Sequence, residues 1–154
     1  MGIRNQLRQA GPVTRRPAMQ RKYLDYLAVL DSSDCVFCAI SSGEPESVIE
    51  ENPHTLVVKN QFGYNVWDGC EVLEHLMIIP KKHRDTLASF TKQELDEWVK
   101  TCAEYELKGY SLYTRSQDNI TRSILHHHTH FIRLGNKRKK YIIYIRKPHI
   151  LVTK

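Results

Sequence analysis

The hydrophobic positions of this chain change period several times, and each change marks an element. From Arg21 to Leu30, "RKYLDYLAVL" has apolar residues at 23, 24, 27 and 30, a spacing that predicts a short amphipathic helix. The preceding stretch, 1–20, reads as flexible, with Pro12 and Pro17 breaking any helix. "DSSDCVFCAISSGEPES" reads as a turn, a Cys-x-x-Cys knuckle with a short helical turn, and a loop. "SVIEENPHTLVVKN" supplies two strands, 47–51 and 55–60, joined at Asn52-Pro53, and "EHLMIIP" is a mostly apolar strand ending at Pro80. The clearest helix is "TKQELDEWVKTCAEYELKGY". There Thr91 and Glu94 have capping-box spacing, Gly109 is placed to end the helix, and Leu95, Trp98, Val99, Cys102 and either Tyr105 or Leu107 recur along one face. On this spacing Cys102 is a core residue. "YSLYTR" is a strand, "SQDNITR" a polar loop, "SILHHHTHFIRL" another strand, and "KYIIYIRKPHILVTK" gives two more strand-like runs. The sum is an α+β fold, a mainly antiparallel sheet with one principal helix.

Composition narrows the class. The 154 residues suffice for one domain with a substantial core, and 41% hydrophobic with 26% charged residues is the balance of a soluble globular protein. No apolar run reaches the length of a membrane span. The basic N-terminus lacks a following apolar region with a cleavage site, so secretion is not expected, and it has too little Ser and no clear apolar face for a transit peptide. The expected location is cytoplasmic. The net charge of +6 is unevenly spread. Residues 1–22 hold six Lys/Arg and residues 133–154 hold eight, with no acid in either, while 23–132 hold nine bases and all seventeen acids. The two ends therefore sum to +14 against −8 in the body. Such ends can bind nucleic acid or another anionic partner, or serve only as solvated tails.

Two clusters carry chemistry. Cys35 and Cys38 form a Cys-x-x-Cys pair in a chain whose four cysteines are too few for a disulfide scaffold, which points to metal or redox chemistry. The redox reading lacks a thioredoxin-like β-α-β context. Residues 124–132, "ILHHHTHFI", place four histidines in five positions, internal to the chain and flanked by apolar residues, which argues against a tag or a loose metal tract. On a strand His126, His128 and His130 share one face, at roughly 7 Å intervals, with His127 and Thr129 on the other. A histidine there is a nucleophile if a backbone carbonyl holds its second nitrogen and fixes the tautomer. Attack on phosphorus suits it, with His130, Ser123 and Arg122 as donors to the transferring group.

His126-His127-His128-Thr129-His130-Phe131-Ile132 resembles the signature of the histidine-triad superfamily. "DCVFCAI" resembles the opening of many bacterial members, and "EHLMIIPKKH" resembles their conserved-looking strand and its Pro-Lys-x-His end. The match spans about 34–134, with the motifs in the family's order and the capped helix between them. The resemblance implies a basic N-terminal arm with a short helix (1–33), a histidine-triad-like catalytic domain (34–134) and a basic C-terminal strand extension (135–154). It also implies a homodimer formed through the principal helix and a continuous sheet.

Carried over residue by residue, the resemblance makes His128 the nucleophile that attacks the α-phosphorus of a nucleotide conjugate, giving a nucleotidyl-histidine that water hydrolyses. His130 and Ser123 would contact phosphate, Asn60 the ribose hydroxyls, and Leu56 and Val58 the base, with His75 behind the triad. Read alone, Asn60 is equally a turn residue. Zinc-bearing bacterial members imply a structural Zn2+ on Cys35, Cys38, His83 and His126. Magnesium (Mg2+) can accompany the substrate. The implied activity is hydrolysis of dinucleoside polyphosphates, nucleoside phosphoramidates or adenylates. The alternatives are a nucleotidyltransferase or phosphorylase, a nucleic-acid deadenylase, or a non-catalytic nucleotide- or zinc-binding module. The chain departs from the family pattern at several positions. Thr121 and Arg122 stand where Gly-Gln is usual, which leaves Arg122 either on phosphate or in solvent. Glu74 replaces a glycine, and His127 and Thr129 make the far face of the triad strand polar.

Overall fold

The computed structural model describes residues 14–30, 35–43, 45–119, 121–138, 142–146 and 149–153. Three helices, α1 (Pro17–Val29), α2 (Val36–Gly43) and α3 (Lys92–Leu107), accompany eight strands. These are β1 (Val48–Glu51), β2 (Thr55–Lys59), β3 (Val66–Trp67), β4 (Cys70–Pro80), β5 (Tyr110–Thr114), β6 (Thr129–Arg138), β7 (Ile142–Arg146) and β8 (His149–Thr153). The first six form one antiparallel sheet in the order β1-β2-β4-β6-β5, with β3 paired to β4, and β7 and β8 pair with each other. The architecture is the α+β class expected.

Register explains why the central strands read as unbroken apolar runs. Opposed residues share a face, so Val57, Ile78 and Thr129 lie on one side while Val58, Met77 and His130 lie on the other. The first side carries α3: Val57, Leu76, Ile78 and Phe131 pack with Phe90, Trp98, Tyr105 and Tyr110. Phe131 stacks on Tyr105 at 4.6 Å. The second side buries Leu56, Val58, Met77 and Ile79 beneath Phe37 of α2. With both faces covered, alternation disappears over Leu56–Val58 of β2 and Leu76–Pro80 of β4.

Three expectations change. Pro17 opens α1 rather than breaking it, because at the first helical position its missing N–H costs nothing; residues 1–13 lie outside the described part. The capping box of α3 forms as expected, and Gly109 takes φ +85 just beyond its end. Its buried face, however, is Glu94, Trp98, Thr101 and Tyr105, with Cys102 packed at the margin. Val99 is 64% exposed and Leu107 89%. Glu94 is drawn inward because its carboxylate accepts from Thr91 N–H at 2.7 Å and pairs with Arg84 at 3.1 Å, which rotates the Leu95–Val99 edge outward. The strand expected over 123–134 begins only at Thr129 and continues to Arg138. The reason is that Ile124 and Leu125 give their carbonyls to the Arg122 side chain instead of to a ladder.

Candidate active site and metal centre

A cavity of about 810 Å³ opens beside β4 and β6, on the sheet face away from α3, and His128 and His130 line it with Asn60, Tyr64, Ser123 and Phe37. Its roof is α1, which supplies Gln20, Tyr23, Tyr26 and Leu27. Tyr23 OH is hydrogen-bonded to Ser123 Oγ, and Thr14 O accepts from Asn65 N–H at 2.8 Å, so this segment is tied to the domain at both ends of the site.

His128 is 8% exposed, and its Nδ1 lies 2.9 Å from the carbonyl oxygen of His126. A carbonyl can only accept, so Nδ1 carries the proton and Nε2 keeps a free lone pair. Burial holds the ring down to about 4, opposed by the His126 carbonyl and reinforced by the charges of Arg122 and Arg115, and it is neutral at pH 7. This is the neutral, single-tautomer imidazole that nucleophilic attack requires. The Thr114 hydroxyl donates to His128 O at 2.9 Å and fixes the backbone.

His130 sits next on this side, its ring centroid 5.0 Å from that of His128. Its Nδ1 is 2.9 Å from His75 Nε2, and His75 Nδ1 accepts from Tyr64 N–H at 3.0 Å. His75 therefore stands behind the row and fixes it. Asn60 closes β2 with Oδ1 accepting from Phe62 N–H at 3.0 Å and Nδ2 3.2 Å from His75 Nε2, so it is both the loop residue and the cavity residue that sequence left as alternatives. Leu56 and Val58 lie beneath Phe37 and Met77 and are covered by them.

Burial holds His75 down to about 3 and His130 well below its ordinary value. Both are bases whose folded pKa is depressed, so below about pH 6.5 the unfolded chain binds protons that the folded one refuses. Their contribution to stability is complete above that pH and falls as pH drops toward the folded values. The expected loss between pH 6.5 and 5 is about 2 kcal/mol for His75, with His130 adding to it in the same direction. Urea midpoints measured across that range should fall steeply in the wild type and less steeply in His75→Asn; a flat profile would contradict the burial.

Arg122 reaches neither phosphate nor solvent. Its guanidinium donates to the carbonyls of Asp85 at 2.7 Å and Ile124 at 3.1 Å, and to Leu125 O, and the residue is 4% exposed. It binds the segment before the triad to the turn after β4. Arg122→Ala strands three carbonyls and should cost about 3 kcal/mol in denaturant unfolding, while Arg122→Lys recovers only part of that because an ammonium cannot fork. Glu74 is also away from the cavity, pairing with Arg133 at 2.8 Å and accepting from Tyr110 OH. His127 points to the α3 side, between Phe90 and Trp98, so the far face of the triad segment is aromatic and enclosed, not wet.

Cys35, Cys38, His83 and His126 form a second cluster, their ligand atoms within 4.8 Å of one another. Cys35 Sγ is 3.3 Å from His126 Nδ1, and Cys38 Sγ is 3.4 Å from His83 Nδ1 and 3.6 Å from His126 Nδ1. A tetrahedral zinc with ordinary Zn–S and Zn–N bonds sets such edges at about 3.6 Å. Both histidines have their other nitrogen placed correctly. His126 Nε2 lies 2.9 Å from Pro80 O and His83 Nε2 lies 3.1 Å from Asp85 Oδ1, leaving each Nδ1 free for a metal. Burial and the adjacent Cys35 push the Cys38 thiol up to about 11, so paired thiolates here call for a cation. The four residues fit zinc. Cys102 is outside the cluster, as expected. Among the described residues no other group of three or more His, Cys, Asp or Glu gathers.

Sequence reading missed Arg15, Arg115, Tyr23 and Tyr64, which line the cavity too. It also missed the β3–β4 hairpin, although Asp68-Gly69 was a turn signal; both take positive φ, at 49 and 70.

No family model matches the sequence, and neither does any curated protein. Solved structures do. A hypothetical histidine triad nucleotide-binding protein from Sulfolobus tokodaii is 25% identical at TM-score 0.53, over 67% of this chain and 70% of that one. A zinc-bound histidine triad family protein from Mycobacterium smegmatis is 22% identical at TM-score 0.53, over 77% and 86%. A HIT family hydrolase from Legionella pneumophila is 23% identical at TM-score 0.50, over 68% and 95%.

Proposed function

By fold this chain is a histidine-triad protein, and we propose that it is a nucleotide hydrolase cleaving at an α-phosphorus through a nucleotidyl-histidine. The observation that carries the reading is the bond between His128 Nδ1 and His126 O, which leaves Nε2 as a neutral nucleophile on the cavity. Of the similar structures, one is a nucleotide-binding protein and one a hydrolase by name, in agreement with it.

Nε2 of His128 forms a bond to the α-phosphorus as the bond to the leaving group breaks, its electron pair departing with the leaving atom. Water then attacks the same phosphorus, the P–N bond breaks toward Nε2, and the mononucleotide is released. His130 Nε2–H and the Ser123 hydroxyl donate to the phosphoryl oxygens, and His75 holds His130 in register. Asn60 takes the ribose, and the base lies against Phe37 and Met77 with Leu56 and Val58 beneath. Zinc on Cys35, Cys38, His83 and His126 ties α2 to the triad segment and acts structurally, and the similar M. smegmatis protein is zinc-bound. The reading places the protein in the cytoplasm, where thiolates stay reduced, and among the described residues no helix is long and apolar enough to cross a membrane. It includes a homodimer through α3, whose Leu95, Val99 and Leu107 are exposed. The basic ends are candidates for an anionic partner, and half of their fourteen Lys/Arg side chains lie outside the described residues.

The test is AMP release from diadenosine tetraphosphate, adenosine phosphoramidate and a 5′-adenylated oligonucleotide, with acid-quench mass spectrometry for a nucleotidyl adduct on His128. Turnover with the adduct supports the reading; tight nucleotide binding with neither would replace it with a binding module.

A further inference from the structure

Two arginines in the cavity are unused by that mechanism. The guanidinium groups of Arg15 and Arg115 lie against the Tyr64 ring, 4.9 and 5.9 Å from its centroid, and both line the space that holds His128 and His130. Arg15, just before α1, donates from Nε to Phe62 O at 2.6 Å and stacks on Tyr23 at 4.3 Å. Arg115, just after β5, donates from Nη2 to Tyr64 OH at 2.6 Å, and its buried Nε has no partner. Among the described residues neither arginine forms an ion pair. Two partly buried like charges with no counter-charge cost free energy until an anion joins them.

Proton counting locates the missing acceptor. Tyr64 N–H, a backbone donor, occupies His75 Nδ1, so the proton of neutral His75 is on Nε2 and points at His130 Nδ1. His130 then carries its own proton on Nε2, yet Arg115 Nη1, which can only donate, is 3.1 Å from that atom. Two neutral histidines between two obligate donors always leave one donor facing another. An anionic oxygen between His130 Nε2–H and the arginines satisfies both.

We infer that Arg15 and Arg115, next to the His130 Nε2–H that holds the transferring phosphoryl group, form a second anion site that takes a phosphate of the substrate's leaving half, so that the protein favours nucleotide anhydrides over nucleotide conjugates of amines. The inference rests on His128 as nucleophile. When an anhydride is cleaved, the electron pair of the P–O bond stays on the bridging oxygen, and the leaving group departs as a phosphate anion that needs no proton. An amine leaving from a phosphoramidate must gain one proton to depart neutral, and a second proton, taken from solvent, makes it an ammonium beside two guanidinium groups. The site therefore attracts the first product and repels the second.

The holoprotein and its Arg15→Gln, Arg15→Lys and Arg115→Gln variants are assayed with diadenosine tetraphosphate and adenosine phosphoramidate, and titrated calorimetrically with AMP, ADP and pyrophosphate. The expected results are a ratio of kcat/KM, anhydride over phosphoramidate, that falls at least about tenfold in both Gln variants and less in Arg15→Lys, and ADP binding at least about tenfold tighter than AMP only when the arginines are present. Equal losses on both substrates, or ADP and AMP bound alike by the wild type, would overturn the inference while leaving hydrolysis intact. Arginine-dependent pyrophosphate binding with no AMP released from any substrate would keep the anion site and remove the hydrolase.

Discussion

Replacing His128 by alanine is expected to lower AMP release by about ten-thousand-fold or more, which corresponds to about 5.5 kcal/mol of activation free energy. The size follows from the role, since no neighbour can substitute for the atom that bonds to phosphorus. His130 Nδ1 is taken up by His75 and its Nε2 carries a proton, and His126 Nδ1 lies against the two cysteines. Residual turnover would come only from binding and donor groups. Ser123→Ala removes one donor to phosphate and should cost about ten- to a hundredfold. The adduct seen by acid quench should vanish in His128→Ala and persist in Ser123→Ala. If both variants lost activity equally while the adduct remained, the nucleophile would lie elsewhere.

The second large effect concerns the metal. The purified protein should carry one zinc per chain, and Cys35→Ser or Cys38→Ser should lose it. Removing it should lower stability by about 4 kcal/mol, a fall in Tm of about 10 °C or more for a chain of this size. Without a shared cation, the Phe37 packing on His126 and His128 is left to hold α2 against the triad segment while two thiols and two histidines crowd together unbridged. Activity should fall too, because His126 serves both centres: its ring is in the metal cluster and its carbonyl holds His128 Nδ1. Metal analysis, calorimetric melting and AMP release on the same preparations decide the matter. A metal-free protein that melts and turns over like the wild type would rule out a structural zinc.

Much of this was legible in the sequence, for physical reasons that differ from element to element. The capping box needs only Thr91, Glu94 and the spacing between them, all of it local, and it appears as read. The metal quartet and the triad were visible because histidine and cysteine are chemically distinctive and were matched to a known pattern. The α3 face was misread because a buried carboxylate depends on a distant partner. Nothing local says that Arg84 will hold Glu94 inside and turn Val99 outward. The triad segment looked like strand from Ser123 because apolar residues flank the histidines. Its backbone instead serves Arg122 and joins β6 only at Thr129. Arg15 sat among six basic residues of an apparently solvated arm, so its charge carried no signal of a site. Only the fold shows that it comes to rest on Tyr64.

The way α1 roofs the cavity has a consequence for how such a protein can diversify. The atom that bonds to phosphorus belongs to the segment that leads into β6, an inner strand of the sheet. The atoms that meet the rest of the substrate belong partly to residues 14–30, which pair with no strand of it. Reactivity and taste are thus encoded in separate lengths of the gene. A new roof could be tried on an old engine without rebuilding it, and two chains with the same histidine row need not share a diet.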